Sequence, residues 1–387
     1  METYMDHAAA RPVDPRVLEA MKPYFSESYG NPASFYSKGF ESLKALDEAR
    51  RQVASLIGAQ DSEIVFTSGA TESNNLAILG AAQRYRKRGK RVVISEIEHI
   101  SVINISKELT RQGFEVVNAP VDSEGLVDLE QFKGLVNDDT VLVSIMAANG
   151  EIGTIQPIEQ AAKIAHDHGA LFHTDATAAV GQIRLDVSMG LDFMTLSSND
   201  IYGPKGVGAL YVKKGLRLKP HMIGGGQEGG LRSGSENIPG IVGIGKAAEI
   251  IAGEMGEEAK RLSALRDKLI EEVLEAVPES HLNGHPTERL PNNANIRFSF
   301  IEGEALLLSL SDLGISVSSG SACVAKTLEP SHVLRALGLK HEEAHGSLVF
   351  TLGKSNRDED VEYVVQSLPG VVKRLRAMSP LTPKELI

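Results

Sequence analysis

Several short stretches of this 387-residue chain place side chains that do chemistry at spacings that chemistry can use. In Phe66-Thr67-Ser68-Gly69-Ala70-Thr71-Glu72-Ser73-Asn74-Asn75 an apolar run ends at a glycine and hydroxyl residues open a helical pattern. Free N–H groups and the positive end of the helix dipole then converge on one point, which suits a phosphate; an ordinary capped helix would use the same residues. His173-Thr174-Asp175-Ala176 closes another apolar run. Asp175 is therefore expected at the carboxyl edge of a sheet, where open α/β sheets bind ligands, although strand-end aspartates also cap helices and form turns. The glycine-rich run YGPKGVG (202–208) leads into a strand and so is a poor dinucleotide fingerprint. GGGQEGG (224–230) fits a flexible turn as well as an anion nest. His341-Glu342-Glu343-Ala344-His345 has the two-histidine spacing of zinc helices. Gly346 and an apolar run at 348–352 follow at once and no third ligand is apparent, so a surface turn is expected. The single cysteine, Cys323, allows neither an intramolecular disulfide nor a multi-cysteine metal site within one chain. A lone cysteine is by default a small buried hydrophobe, but here it follows Ser318-Ser319-Gly320-Ser321-Ala322 and precedes Pro330, a run that reads as loop.

The elements that must position these residues alternate. Strands are expected at 63–67, 91–95, 114–119, 141–146, 170–173, 193–196 and 208–212, with helices at 72–84, 101–112 and 158–168 between them. Such alternation predicts an α/β fold with a largely parallel sheet covered on both faces. Asp14-Pro15 reads as an N-cap followed by proline at the first helical position. Residues 238 to about 276 form a helical, charge-laced stretch expected to be a long exposed connector. A strand at 294–300 and a helix at 304–313 follow, giving a smaller α+β domain. The division expected is a large cofactor-binding domain at 15–255 and a small domain of 1–14 and 256–387 that carries the Cys323 loop.

The composition is 42% hydrophobic and 24% charged, a globular balance, and the length fits one large domain with a smaller companion. A formal net charge of −11 disfavours generic binding to nucleic acid or anionic lipid. The start METYMDHAAARPVD lacks the basic segment and apolar run of a signal peptide. No stretch approaches the roughly 20 apolar residues of a membrane helix. A cytoplasmic protein without nucleic-acid or membrane partners is expected.

Taken in order, the segments resemble the cysteine desulfurases of the NifS/IscS type, within the class V aminotransferases. The resemblance runs through MDHAAARPVDPRVLEAM, GNPASFYSKG, FTSGATESNNLAI, IEHISVIN, ANGEIGTIQPI, FHTDATAAVGQI, YGPKGVGALYV, GGGQEGGLRSGSENIPGIVGIGKAAE, LNGHP, VSSGSACVAKTLEPSHVL and EEAHGS. It implies the type I fold of pyridoxal 5'-phosphate (PLP) enzymes, with a mostly parallel seven-stranded sheet, and a homodimer. It implies L-cysteine as substrate, sulfur carried as a persulfide, and an IscU-type iron–sulfur scaffold as partner. By the same resemblance Ala70 and Thr71 bind the PLP phosphate, His99 stacks on the ring, Asp175 pairs with the ring nitrogen and Asn149 meets the phenolic oxygen. Ser197 and, across the dimer interface, Ser235 add phosphate contacts. Cys323 is the persulfide cysteine, in the subgroup with a long cysteine loop.

The chain departs from the family pattern where covalent chemistry is done. The family's Ser-x-His-Lys is Ser197-Ser198-Asn199-Asp200 here, so an aspartate stands in place of the lysine that holds PLP as an imine and moves the substrate proton. A carboxylate forms no imine. Facing a phosphate or phenolate at about 4 Å, it would cost roughly 4 kcal/mol per contact before screening. Val349 replaces the arginine that clamps the substrate carboxylate, a loss on the order of 1.5–3 kcal/mol. Lys354 replaces a second arginine and lacks its planar fork. Ala178 replaces the glutamine supporting the phenolic oxygen. Lys205 is a weak candidate for the missing amine, since active relatives carry a lysine in GPKG beside their own.

Two readings follow. The first is a component of iron–sulfur cluster assembly that acts with a scaffold through Cys323, as persulfide carrier or as a ligand of a shared [2Fe–2S] cluster, with cysteine desulfuration absent or strongly impaired. The second is a non-enzymatic scaffold-binding or regulatory protein that keeps only the fold. An ordinary PLP aminotransferase or lyase fits worse, because it needs the missing lysine.

Overall fold

The computed structural model describes residues 2–320 and 330–386. Seven apolar runs form one sheet in the spatial order Ile64–Thr67, Gly208–Val212, Phe193–Ser197, Leu171–Asp175, Thr140–Ser144, Arg91–Ser95 and Glu115–Ala119. Neighbours are parallel except Gly208–Val212, which runs antiparallel to both of its partners. The inner strands Thr140–Ser144 and Leu171–Asp175 are buried along their whole length, as strands covered on both faces must be, while the edge strand Glu115–Ala119 is half exposed. Among the covering helices are Ala70–Tyr85, Ile100–Arg111 and Ile158–Asp167. Two boundary shifts bear on the site. The fourth strand runs on to Asp175, and the helix expected at 72 starts at Ala70.

The helix Ile238–Ala276 is not the exposed connector its charges suggested. Ile238, Ile241, Ile244, Ala248 and Ile251 pack into the core of the large sheet, and Leu262, Leu265, Leu269 and Val273 into a second core. Two apolar stripes at helical spacing, one after the other, bury one face at each end while the charges occupy the other face.

The second core lies against a three-stranded antiparallel sheet of Ser347–Thr351, Asn293–Phe298 and Ser280–Asn283 in that order. The helices Gly303–Ser311 and Asp358–Met378 contribute to it. At the other end of the chain, Thr3–Tyr4 pairs in parallel with Ile315–Ser316, and Met5 joins this core. Asp14 does cap the helix Pro15–Met21, accepting from Arg16 N at 2.9 Å. His341–His345 is a short helix rather than the surface turn expected; the two ring centres lie 4.4 Å apart with the planes tilted by 50°, and the strand Ser347–Thr351 follows. Among the described residues no group of three metal-ligating side chains occurs, and no helix is long and apolar enough to cross a membrane.

A polar seam joins the two cores. Asn293 Nδ2 donates to Gly150 O at 2.9 Å, Asn295 Nδ2 to Glu151 O at 3.0 Å and Arg289 Nη2 to Ile152 O at 2.6 Å. The loop after Thr140–Ser144, which carries Asn149, is thereby fixed from the second sheet.

Candidate active site at the carboxyl ends of the sheet strands

Strand ends and a helix start bring Ala70, Thr71, Asp175 and Ser197 to one edge of the sheet. Asp175, the last residue of its strand, is buried. Its Oδ2 accepts from Asn74 Nδ2 at 2.7 Å, and its Oδ1 accepts from Thr177 N at 2.9 Å and Thr177 Oγ1 at 2.5 Å. Asn74 lies one turn into the helix Ala70–Tyr85, so the helix start and Asp175 are held to each other. Gly69 turns the chain into that helix at φ 147°, a conformation essentially restricted to glycine. Nothing lies within 4 Å of where a Cβ at Gly69 would stand. No side chain caps this helix, and Glu72 instead folds back to accept from Ser68 N at 2.7 Å while pairing with Arg232 at 3.0 Å. Open space beside an uncapped helix start, carrying Ala70 and Thr71, forms a cradle for an anion.

His99 caps the next helix. Its Nδ1 accepts from Ser101 N at 3.2 Å and lies 2.8 Å from Ser101 Oγ, so in the neutral ring the proton sits on Nε2. Asn149 is buried and largely committed to the backbone: Oδ1 accepts from Glu151 N and Ile152 N, and Nδ2 donates to Ile97 O at 2.9 Å. Its second Nδ2 hydrogen faces the weak thioether acceptor of Met146. Ala178 comes near the same loop, where a Cβ at Gly150 would stand 3.4 Å from its own. Ser235 is exposed on this chain's surface.

Position 200 lies one turn beyond Ser197, in the single 3₁₀ turn Asn199–Ile201. Asp200 is 6% exposed. Burial raises its carboxyl above the usual range, opposed by the positive charge of Arg11 and by the neighbouring Ser197 and Asn199 side chains; Asp175 adds to the rise. Arg11 is the residue that sequence reasoning missed. It is 3% exposed, with its guanidinium carbon 5.2 Å from the centre of the Tyr202 ring. Its Nε donates to His7 O at 3.1 Å and its Nη1 to the backbone carbonyl of Asp200. With its amide turned oxygen-first, Gln182 accepts from Nη1 and Nη2 at 3.0 and 3.3 Å. The only sequence signal was a cation directly before Pro12 in an alanine run. Lys205 is exposed, and its Nζ donates to Arg11 O at 3.3 Å.

Three more buried groups surround the strand ends. Burial pushes His7 and His173 down to about 4, so both are neutral near pH 7; His173 sits between Ser144 Oγ at 2.8 Å and Thr195 Oγ1 at 3.1 Å. Glu98 lies beside Asp175, and burial and that like charge hold it well above the carboxylate range. Its Oε1 accepts from Met146 N at 2.6 Å while Oε2 has no partner among the described residues.

At the position where the resemblance expects a carboxylate clamp, Val349 is buried in the strand Ser347–Thr351, opposite Asn295, and exchanges backbone hydrogen bonds with Ser318. Lys354 is drawn into ion pairs with Glu254 at 2.7 Å and Asp14 at 3.4 Å. Cys323 lies outside the described residues.

The class V aminotransferase model matches residues 3–364. A cysteine desulfurase IscS 1 of Archaeoglobus fulgidus is 59% identical over 379 residues, covering 98% of this chain and 99% of its own. The chain belongs to the NifS/IscS-type cysteine desulfurases. A cysteine desulfurase IscS of Methanosarcina thermophila is 50% identical, covering 99% of this chain and 95% of its own. A solved NifS-like protein superposes with a TM-score of 0.90 at 39% identity, covering 97% of this chain and 99% of that one. The desulfurase family is PLP-dependent, and the residues of this chain fit PLP in part. The open cradle at Gly69 suits its phosphate, and the hydrogen-bonded Asp175 carboxylate suits a protonated ring nitrogen. Position 200 does not suit a covalent anchor, since a carboxylate supplies no amine.

Proposed function

We propose that this desulfurase-family protein serves iron–sulfur cluster assembly through Cys323, acting with an IscU-type scaffold, and that its own removal of sulfur from L-cysteine is absent or strongly impaired. The observation that carries the reading is Asp200, buried beside Asp175 and Arg11 where the family pattern has lysine. Ala70, Thr71, His99, Asn149, Asp175 and Ser197 would hold PLP non-covalently, with Ser235 of a second copy completing the phosphate site. When bound, PLP supplies an electron sink for carbanion chemistry. This chain's part is to bind the phosphate at the helix start and to keep the ring nitrogen protonated through Asp175. It supplies no side-chain amine at position 200, and Val349 brings no charge to a substrate carboxylate.

The names of the relatives support the desulfurase lineage and L-cysteine as the ancestral substrate. Exposed aromatics support a homodimer: Phe35 is 94% exposed and Phe25 and Tyr29 each 65%, too much apolar surface to leave in water. Given sulfur from outside, the Cys323 thiolate would take a sulfur atom from a donor persulfide, releasing the donor thiolate, or would ligate a [2Fe–2S] cluster directly. Reconstitution of a cluster on the complex with scaffold, using iron and sulfide, tests the ligand role against Cys323→Ser. An unchanged cluster spectrum and stability would remove it, and unchanged transfer from a persulfide donor would remove the carrier role. Borohydride treatment with PLP, followed by peptide mass mapping, is expected to yield no pyridoxyl-lysine; a modified Lys205 would overturn non-covalent binding.

A further inference from the structure

We propose that Glu151 is the positioning residue of the Cys323 segment: its carboxyl group gathers the two ends of that segment, Gly320 and Ser331, and ties them to the loop that carries Asn149. The inference rests on the reading of Cys323 given above and names what presents that residue.

The carboxyl touches both ends. Its Oε2 accepts from Ser331 Oγ at 2.8 Å. Gly320 packs so closely on the other oxygen that a Cβ there would stand 2.7 Å from Oε1 and 2.9 Å from the carboxyl carbon. A side chain at 320 would have to displace the carboxyl, and the φ of 79° disfavours one as well. Two residues separated by 321–329 therefore meet on one side chain, and the single cysteine of the chain lies between them.

Glu151 is itself held by its backbone, as a fixed anchor must be. Its N–H donates to Asn149 Oδ1 at 2.9 Å, and its carbonyl accepts from Asn295 Nδ2 at 3.0 Å. The chain on either side of the segment is seated separately. Ser318 exchanges backbone hydrogen bonds with Val349 at 3.2 and 2.7 Å. Ser331 opens the helix His332–Ala336, its Oγ accepting from Val333 N at 3.1 Å, and Val333 and Leu334 pack with Ile97, Met146 and Ile152. Among the described residues, the Glu151 carboxyl is what brings these two seats to one point. A segment whose ends are drawn together samples fewer arrangements than one whose ends are free of each other, so the tie limits where the thiol between them can go.

The test uses the full-length protein and two rates. Lys326 is the one basic residue between 320 and 331, so trypsin cleavage after it reports how often the segment opens. The second rate is delivery of sulfur to the scaffold from a persulfide loaded on Cys323, in which a scaffold thiolate takes the outer sulfur and Cys323 leaves as thiolate. Glu151→Ala should speed cleavage after Lys326 roughly three- to tenfold, the range of one hydrogen bond, and slow delivery by a similar factor. Gly320→Ala, which pushes on the carboxyl from the other end, should move both rates the same way. Glu151→Gln keeps an acceptor for the Ser331 hydroxyl and should hold both rates close to wild type. Unchanged cleavage in Glu151→Ala would overturn the tie, and so would an acceleration shared by sites across the molecule. Faster cleavage without slower delivery would overturn the positioning role and leave Glu151 a structural residue. Delivery by Cys323→Ser at the wild-type rate would overturn the reading of Cys323, and with it the purpose of the tie.

Discussion

A carboxylate and an amine at position 200 impose opposite electrostatics on the same pocket, and Arg11 is the residue that makes the carboxylate tolerable. An Asp200→Lys substitution would restore the amine but set it beside a buried guanidinium, with Val349 still offering a substrate carboxylate nothing to bind. Its sulfide release from L-cysteine is expected to stay below about 1 s⁻¹, the low end of ordinary turnover. A rate inside the ordinary range, measured with PLP in excess, would show that neither Arg11 nor the missing clamp matters. Arg11→Ala should in turn raise the Asp200 carboxyl further, because the charge that opposes its burial is removed. Infrared titration of that carboxyl in the two proteins checks this, and an unchanged midpoint would separate Arg11 from Asp200.

At the scale of elements, the helix start at Gly69 and the loop 149–155 each hold a stored cost. Gly69→Ala forces a φ of 147° on a residue with a Cβ, expected to cost roughly 1–3 kcal/mol in urea unfolding although no atom crowds the position. A change within about 0.5 kcal/mol, the scatter of neutral substitutions, would mean that the turn rearranges freely. In the loop, part of Glu151 reaches solvent, but Oε1 is sealed without a partner among the described residues and Oε2 accepts from Ser331 Oγ at 2.8 Å. Burial raises this carboxyl to about 8 from an ordinary 4.5. The folded protein then keeps a proton that the unfolded chain has released. The contribution is complete below about 4.5 and declines as pH climbs to about 8. Glu151→Gln should remove that decline, at most about 1.4 kcal/mol per pH unit, and flatten the thermal stability profile across the window. His7 and His173 act in the opposite sense, losing stability as pH falls from 6.5 towards about 4. An unaltered profile in Glu151→Gln would show that the carboxyl is already ionised in the fold.

The whole molecule is a large sheet packed on both faces and a second core, which share one helix and one polar seam, with an apolar belt left uncovered at 25–43. Phe35, at 94% exposure, and Phe40, at 54%, are the residues to charge. If the proposed dimer forms through this belt, Phe35→Glu with Phe40→Glu should shift sedimentation to monomer while leaving the far-ultraviolet spectrum unchanged. Persistence of the dimer would move the interface elsewhere. A monomer would also lose Ser235 of the second copy from the phosphate site, so weaker binding of B6 phosphates should accompany it.

Sequence alone determined the alternating strands, a helix soon after Gly69, a place for Asp175 at the carboxyl edge of the sheet and the loss of lysine at 200. Each of these follows from local periodicity or from residue type at a motif position, which the chain carries without folding. Tertiary structure decided the rest, because burial and long-range approach have no local signature. The helix Ile238–Ala276 looked exposed from its charges, but its buried face became visible only once two cores stood against it. Arg11 lies 189 residues from Asp200, and only the packing of the N-terminal segment beneath Tyr202 brings its guanidinium to that turn. The sequence shows which amine is gone; the fold shows which cation now stands beside the carboxylate that replaced it.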